Sequence, residues 1–245
     1  MKSARLDAVD ALRGAAMLWM TGFHFCFDLS NARLLEADFY RDPLWTWQRT
    51  CILSLFLLCA GAGQAIAAAQ GQSWQRFWRR WAQILACAAF VGLGSFLLFP
   101  NSFIYFGVLH GLALMLLLAR LSAGCGRWLW LMGAVALALK FTAPWAWDAG
   151  WLGPEFNGRA LNWIGLISVK PITEDYVPVL PWMALVWWGM ALMQWYLRRI
   201  TVPARPMAPL KAALKPLAFL GRWSLSYYML HQPVLLAGLW LWGRA

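Results

Sequence analysis

The sequence predicts an all-α fold, a polytopic transmembrane helix bundle of about seven helices with a cytoplasmic N-terminus. Three observations carry this expectation. First, 62% of the 245 residues are hydrophobic and 13% are charged, whereas soluble domains run at about 45–50% apolar and about 25% charged. Second, the charges are segregated into short stretches between long uncharged ones, the pattern of repeated spans of about 20 residues. Third, the chain has 19 Trp. Many fall near the ends of those stretches, among them Trp45, Trp47, Trp78, Trp81, Trp145, Trp182 and Trp242. An apolar ring whose N–H seeks a partner favours the headgroup layer.

The spans run over 9–30, 44–69, 77–99, 102–121, 127–143, 177–197 and 215–242. The first reads as a retained helix, because no small-residue cleavage site follows a short apolar core. The third starts after Gly71-Gln72-Ser73 and stops at Pro100-Asn101. A glycine-bearing link, 122–126, joins the fourth to the fifth. Segment 144–176 is long, aromatic and rich in glycine; an eighth crossing around 161–169 would move the C-terminus to the other side. Pro178 and Pro181 open the sixth span, where a first turn tolerates a missing N–H. No repeat and no soluble segment of domain size occurs, so residues 1–245 read as one transmembrane domain.

With the N-terminus inside, Lys2, Arg5, Arg13, Arg76, Arg79, Arg80, Arg120, Arg127, Arg198, Arg199, Arg205, Lys211, Lys215 and Arg222 fall on the cytoplasmic side. Arg33, Arg41, Arg49, Lys140, Arg159, Lys170 and Arg244 fall outside. That division of 14 against 7 is the asymmetry of the positive-inside rule. It also disposes of nucleic acid as the reason for the net charge of +11, since the cations cluster between apolar spans. The five Cys are scattered without a C-x-x-C pair, and they read as small buried hydrophobes with no metal role.

Ionisable residues inside spans cost about 2.5–3.5 kcal/mol each at mid-helix, so each needs a reason. In the first span, His24 and Asp28 are four apart and share a helix face. A carboxylate there would orient the imidazole as a base, against the plainer role of closing the helix at the interface. Asp10 and Arg13 are three apart, and Arg13 suits either a phosphate or an inside anchor. Eleven residues separate Arg13 from His24, about 16 Å of helix. In the fourth span, Gly107 and Gly111 flank His110 and invite a close backbone neighbour. In the last, Tyr227 and Tyr228 precede His231 by four and three residues, and Pro233 removes an N–H from the helix ladder. All three histidines thus lie within spans, which points to an intramembrane site without naming its chemistry.

Several of these segments resemble a known family. Asp10-Ala11-Leu12-Arg13-Gly14 with Phe23-His24-Phe25-Cys26-Phe27-Asp28-Leu29, then Phe106-Gly107-Val108-Leu109-His110, then Asp175-Tyr176-Val177-Pro178-Val179-Leu180-Pro181-Trp182, and finally Gly221-Arg222-Trp223-Ser224-Leu225 with Tyr228, Leu230, His231, Gln232 and Pro233, are similar to blocks of the bacterial relatives of heparan-α-glucosaminide N-acetyltransferase. The resemblance implies a multi-pass enzyme of the bacterial inner membrane. Its donor would be cytoplasmic acetyl-CoA or another acyl-CoA, and its acceptor a small molecule or glycan with a hydroxyl or amine, reached from the outer side. It implies donor-binding roles for Asp10 and Arg13. His24, Asp28, His110 and His231 are implied as catalytic-site residues: His24 at the acyl-transfer end with Asp28 orienting it, and His110 and His231 lining the cavity, with all three histidines candidates for the base. Asp175, Tyr228 and Gln232 are implied as substrate contacts. No metal or haem is expected; three histidines without an i, i+3 or i, i+4 pair suit haem poorly. Membrane lipid is the expected surrounding, and a homodimer is compatible with the apolar exterior. A transporter or flippase with a polar midplane cavity is the alternative, weakened by the lack of an internal repeat.

Overall fold

A computed structural model describes residues 7–199 and 208–243. Among them are eight α-helices and no strand: α1 (Asp7–Asn31), α2 (Pro43–Ala69), α3 (Trp74–Leu98), α4 (Val108–Leu121), α5 (Trp128–Asp148), α6 (Val179–Arg199), α7 (Ala208–Arg222) and α8 (Ser224–Trp242). Lys2, Arg5, Arg205 and Arg244, used above for orientation, lie outside the described residues, as does the side chain of Lys211.

The helix count reaches eight by a different route from the one the sequence suggests. Segment 144–176 forms no crossing. After α5 it makes only two short 3-10 turns, Pro154–Asn157 and Asn162–Ile164. Gly150 and Gly165 there adopt left-handed backbone, φ 71° and 101°, which ends regular helix. The extra helix comes instead from the last span, 215–242, which is broken at Trp223. The Trp223 N–H turns back to the Leu220 carbonyl at 3.1 Å and closes α7, and the Trp223 carbonyl then accepts from Tyr227 to start α8. α4 likewise starts six residues later than its apolar run, because the preceding backbone is paired elsewhere: the Val177 N–H donates to the Phe106 carbonyl.

The protein is an integral membrane protein. α2, α3 and α5 are each long and apolar enough to cross a bilayer, and α4 is apolar but only 14 residues. Large side chains face outward on these helices: Phe90, Leu97, Leu98 and Phe141 are all at least 70% exposed. A soluble chain rarely leaves so broad an apolar face in water.

The chain divides into two compact units. Unit 1 is Met1–Cys59 with Val202–Ala245; unit 2 is Ala60–Thr201, so α2 begins in one and ends in the other. In unit 1, α1 packs along α7 and α8. The α1–α7 contact is backbone to backbone. A Cβ on Gly14 would collide with the Leu217 carbonyl, and one on Gly221 with the Asp10 carbonyl. Above it, Met17, Met20, Phe23, Phe39 and Ile52 form an apolar core, with Phe39 stacked on Trp45 at 4.1 Å between ring centroids. In unit 2, α5 packs on α6 and α4 on α3 and α6 around Met115, Leu129, Met183, Val186 and Met190, all fully buried.

Candidate functional site

The polar residues of unit 1 gather at two levels along α1. At its N-terminal end the Arg13 Nη1 donates to Asp10 Oδ1 at 3.1 Å and to the Gly221 carbonyl at 3.4 Å, and its Nη2 donates to the Cys59 carbonyl at 3.4 Å. Arg222 pairs with Asp7 at 3.0 Å and reaches Asp10 at 3.7 Å. The spacing of Asp10 and Arg13 made their pairing legible. The carbonyls of Gly221 and Cys59, which come from other helices, were not. Arg13 thus ties α1 to α7 and α2, yet a guanidinium has five N–H groups, and three of its contacts are accounted for.

Farther along α1 lies the second level. The Asp28 carboxylate is buried and accepts two bonds from the Gln232 amide of α8, at 2.8 and 3.0 Å. This corrects the expected His24–Asp28 hydrogen bond, which does not form. One carboxylate facing the amide with both oxygens is already satisfied, and the imidazole one turn back turns elsewhere. The His24 ring meets the His231 ring edge-on, with centroids 5.2 Å apart. Tyr227 stacks on His231 at 6.2 Å with planes 6° apart, and Tyr228 lies at 5.6 Å. The Tyr227 hydroxyl is 2.6 Å from the Thr21 hydroxyl, a contact the sequence did not single out.

His231 Nδ1 is 2.7 Å from the Tyr228 carbonyl. A carbonyl only accepts, so Nδ1 carries the proton and Nε2 presents a lone pair. Nε2 is buried and has no partner, and neither has the adjacent Gln232 Oε1. The level therefore offers a histidine nitrogen and an amide oxygen, both acceptors, beside a carboxylate. A group that brings hydrogens satisfies them.

His110 and Asp175 belong to unit 2. His110 is the third residue of α4; its Nδ1 is buried without a partner, and its ring lies against Phe106. Asp175 Oδ2 accepts the Val108 N–H at 2.6 Å and so caps α4 from 67 residues away. Gly107, next to it, has no room for a Cβ beside that carboxylate, while Gly111 lies against the Val177 carbonyl. The expected close approach at this glycine pair is thus a carboxylate on one side and a backbone on the other. Asn162, also buried, donates to the Tyr105 hydroxyl at 2.7 Å, and its carbonyl accepts from Tyr176 at 2.6 Å. Burial first, then the nearby Tyr105, pushes the Tyr176 phenol far above its ordinary range, so it remains a donor. No cluster of three metal-ligating side chains occurs among the described residues.

A family model, heparan-alpha-glucosaminide N-acetyltransferase, catalytic, matches residues 5–233. The chain belongs to that family. Its matched region takes in both polar levels of unit 1 and the whole of unit 2. Neither the curated proteins nor the solved structures contain a match. Membership in the family points to membrane acetyl transfer, and it agrees with the resemblance carried by the four sequence blocks.

Proposed function

We propose that the chain is a single-domain acyltransferase of the bacterial inner membrane. It moves an acetyl group from cytoplasmic acyl-CoA to an amine or hydroxyl reached from the outer side. The observation that carries this reading is the His231 tautomer: Nδ1–H held by the Tyr228 carbonyl, Nε2 buried and unpartnered. That is the form of imidazole a general base needs.

The donor supplies an acyl thioester. His231 Nε2 accepts the proton that the acceptor nitrogen or oxygen releases as it bonds to the acyl carbon, and returns it to the departing sulfur. Gln232 Oε1 takes a second hydrogen of the acceptor, and Asp28 holds that amide in place through its two carboxylate oxygens, which both accept from Nε2. Two open acceptors favour an amine, with two hydrogens to give, over a hydroxyl with one. His24 packs on His231 and orients the ring. At the other level, Arg13 retains N–H groups beyond its three contacts and is 23% exposed, which suits it to a phosphate oxygen of the donor. The family name, an N-acetyltransferase, supports the same chemistry.

The test is reconstitution of the purified chain in liposomes with radiolabelled acetyl-CoA on one face. Amino-sugar and hydroxyl acceptors are then supplied on the other. Label should move to the amine acceptors and stop with His231→Ala. Full transfer by that variant would remove His231 from the reaction.

A further inference from the structure

Unit 2 sorts its charges by end. Three helices and a link meet at one end: the Arg120 guanidinium near the C-terminus of α4 donates to the Gln72 carbonyl before α3. The Gln194 amide of α6 donates to the Ala123 carbonyl at 2.8 Å, and Trp187 to the Ser122 hydroxyl at 2.9 Å. That end carries Arg76, Arg79 and Arg80 on the first turns of α3, with Arg120 and Arg127 around the 122–126 link. Arg198 and Arg199 close α6 one turn beyond Gln194. No Asp or Glu of unit 2 is there. All four, Asp148, Glu155, Glu174 and Asp175, lie toward the opposite end, where Glu174 binds Ser102, Asp175 caps α4 and Trp147 donates to the Leu166 carbonyl. Lys140, Arg159 and Lys170 accompany them.

The basic end is also aromatic. Arg120 lies over Trp74 at 5.1 Å, Arg127 over Trp128 at 5.8 Å and Arg199 over Trp195 at 5.5 Å. Trp74, Trp78, Trp128 and Trp195 are each more than two-fifths exposed. Cations held on rings at the edge of an apolar wall meet two demands at once, a phosphate and the top of an acyl chain. A soluble anion meets only the first.

We propose that this end of unit 2 is a docking surface for the headgroups of anionic phospholipids. The test titrates the full-length protein in neutral detergent with phosphatidylglycerol or phosphatidylcholine and follows thermal stability. Phosphatidylglycerol should stabilise and phosphatidylcholine should not, and the effect should weaken as salt rises from about 0.05 to about 0.5 M. The exposed pairs R76Q/R79Q and R198Q/R199Q should each raise the half-saturating phosphatidylglycerol concentration by about 30-fold, the equivalent of roughly 2 kcal/mol for the two cations removed. K140Q/K170Q, at the opposite end, should leave it unchanged. Equal stabilisation by both lipids, or equal loss in K140Q/K170Q, would overturn the proposal. So would inorganic phosphate that displaces the lipid at like concentration, since the site would then read phosphate alone.

Discussion

In unit 1, a single helix carries Asp10, Arg13, His24 and Asp28 along its length. In unit 2, α3 and α4 carry no carboxylate at all, and α5 has one only as its last residue, Asp148. The insertion cost of intramembrane charge is therefore concentrated in unit 1, where each group has a named neighbour: Asp10 with Arg13, Asp28 with Gln232, His24 with His231. Unit 2 instead keeps carboxylates out of the interior of α3, α4 and α5 and gathers most of its charges at helix ends, with Lys140 of α5 the exception. The contrast teaches that polar atoms buried in a membrane helix persist where partners from other helices satisfy them.

The largest expected effect breaks the contrast at its sharpest point. His231→Ala should lower acetyl transfer by about 10²- to 10⁴-fold, the range for loss of a general base. His110→Ala in unit 2 should leave the rate within about tenfold. Initial rates in liposomes decide it; equal losses would mean that the chemistry does not reside in unit 1 alone. Next is the α1–α7 contact. Gly14→Val should destabilise the protein by about 1–3 kcal/mol or more, since its side chain meets the Leu217 backbone. Gly22→Ala, on the same helix with open space around it, should be neutral or gain up to about 1 kcal/mol. Thermal unfolding in detergent compares the two. Asp28→Asn sets an amide against the Gln232 amide and should cost about 1–2 kcal/mol together with a rise in KM for the acceptor. The smallest effect belongs to unit 2: Asp175→Ala should lose about 1 kcal/mol as the cap of α4 disappears, with KM unchanged. A raised KM there would return Asp175 to the substrate-contacting role its sequence block implies.

Much of unit 1 was legible because its key pairs are local. Asp10 and Arg13 share a face by spacing, and Tyr227 and Tyr228 come within ring contact of His231 by the same rule. The family blocks were legible too, and the family match spans them from residue 5 to 233. What failed was the inference from proximity to bonding. His24 and Asp28 are one turn apart, yet Asp28 bonds Gln232, 204 residues away. The continuous apolar run from 215 to 242 hid the break at Trp223, because hydropathy registers no difference between one bent span and two helices.

Composition, charge segregation and periodicity by themselves determined that this is a helical membrane protein, which stretches are apolar, and that its histidines lie within them, since these properties depend on residues within a turn or two of one another. Only the tertiary structure decided which acceptor each polar group meets: Gln232 for Asp28, the Tyr228 carbonyl for His231, Val108 for Asp175. Hydrogen bonds are short and directional, and the partner that wins is the one that packing brings within about 3 Å, whatever its distance along the chain.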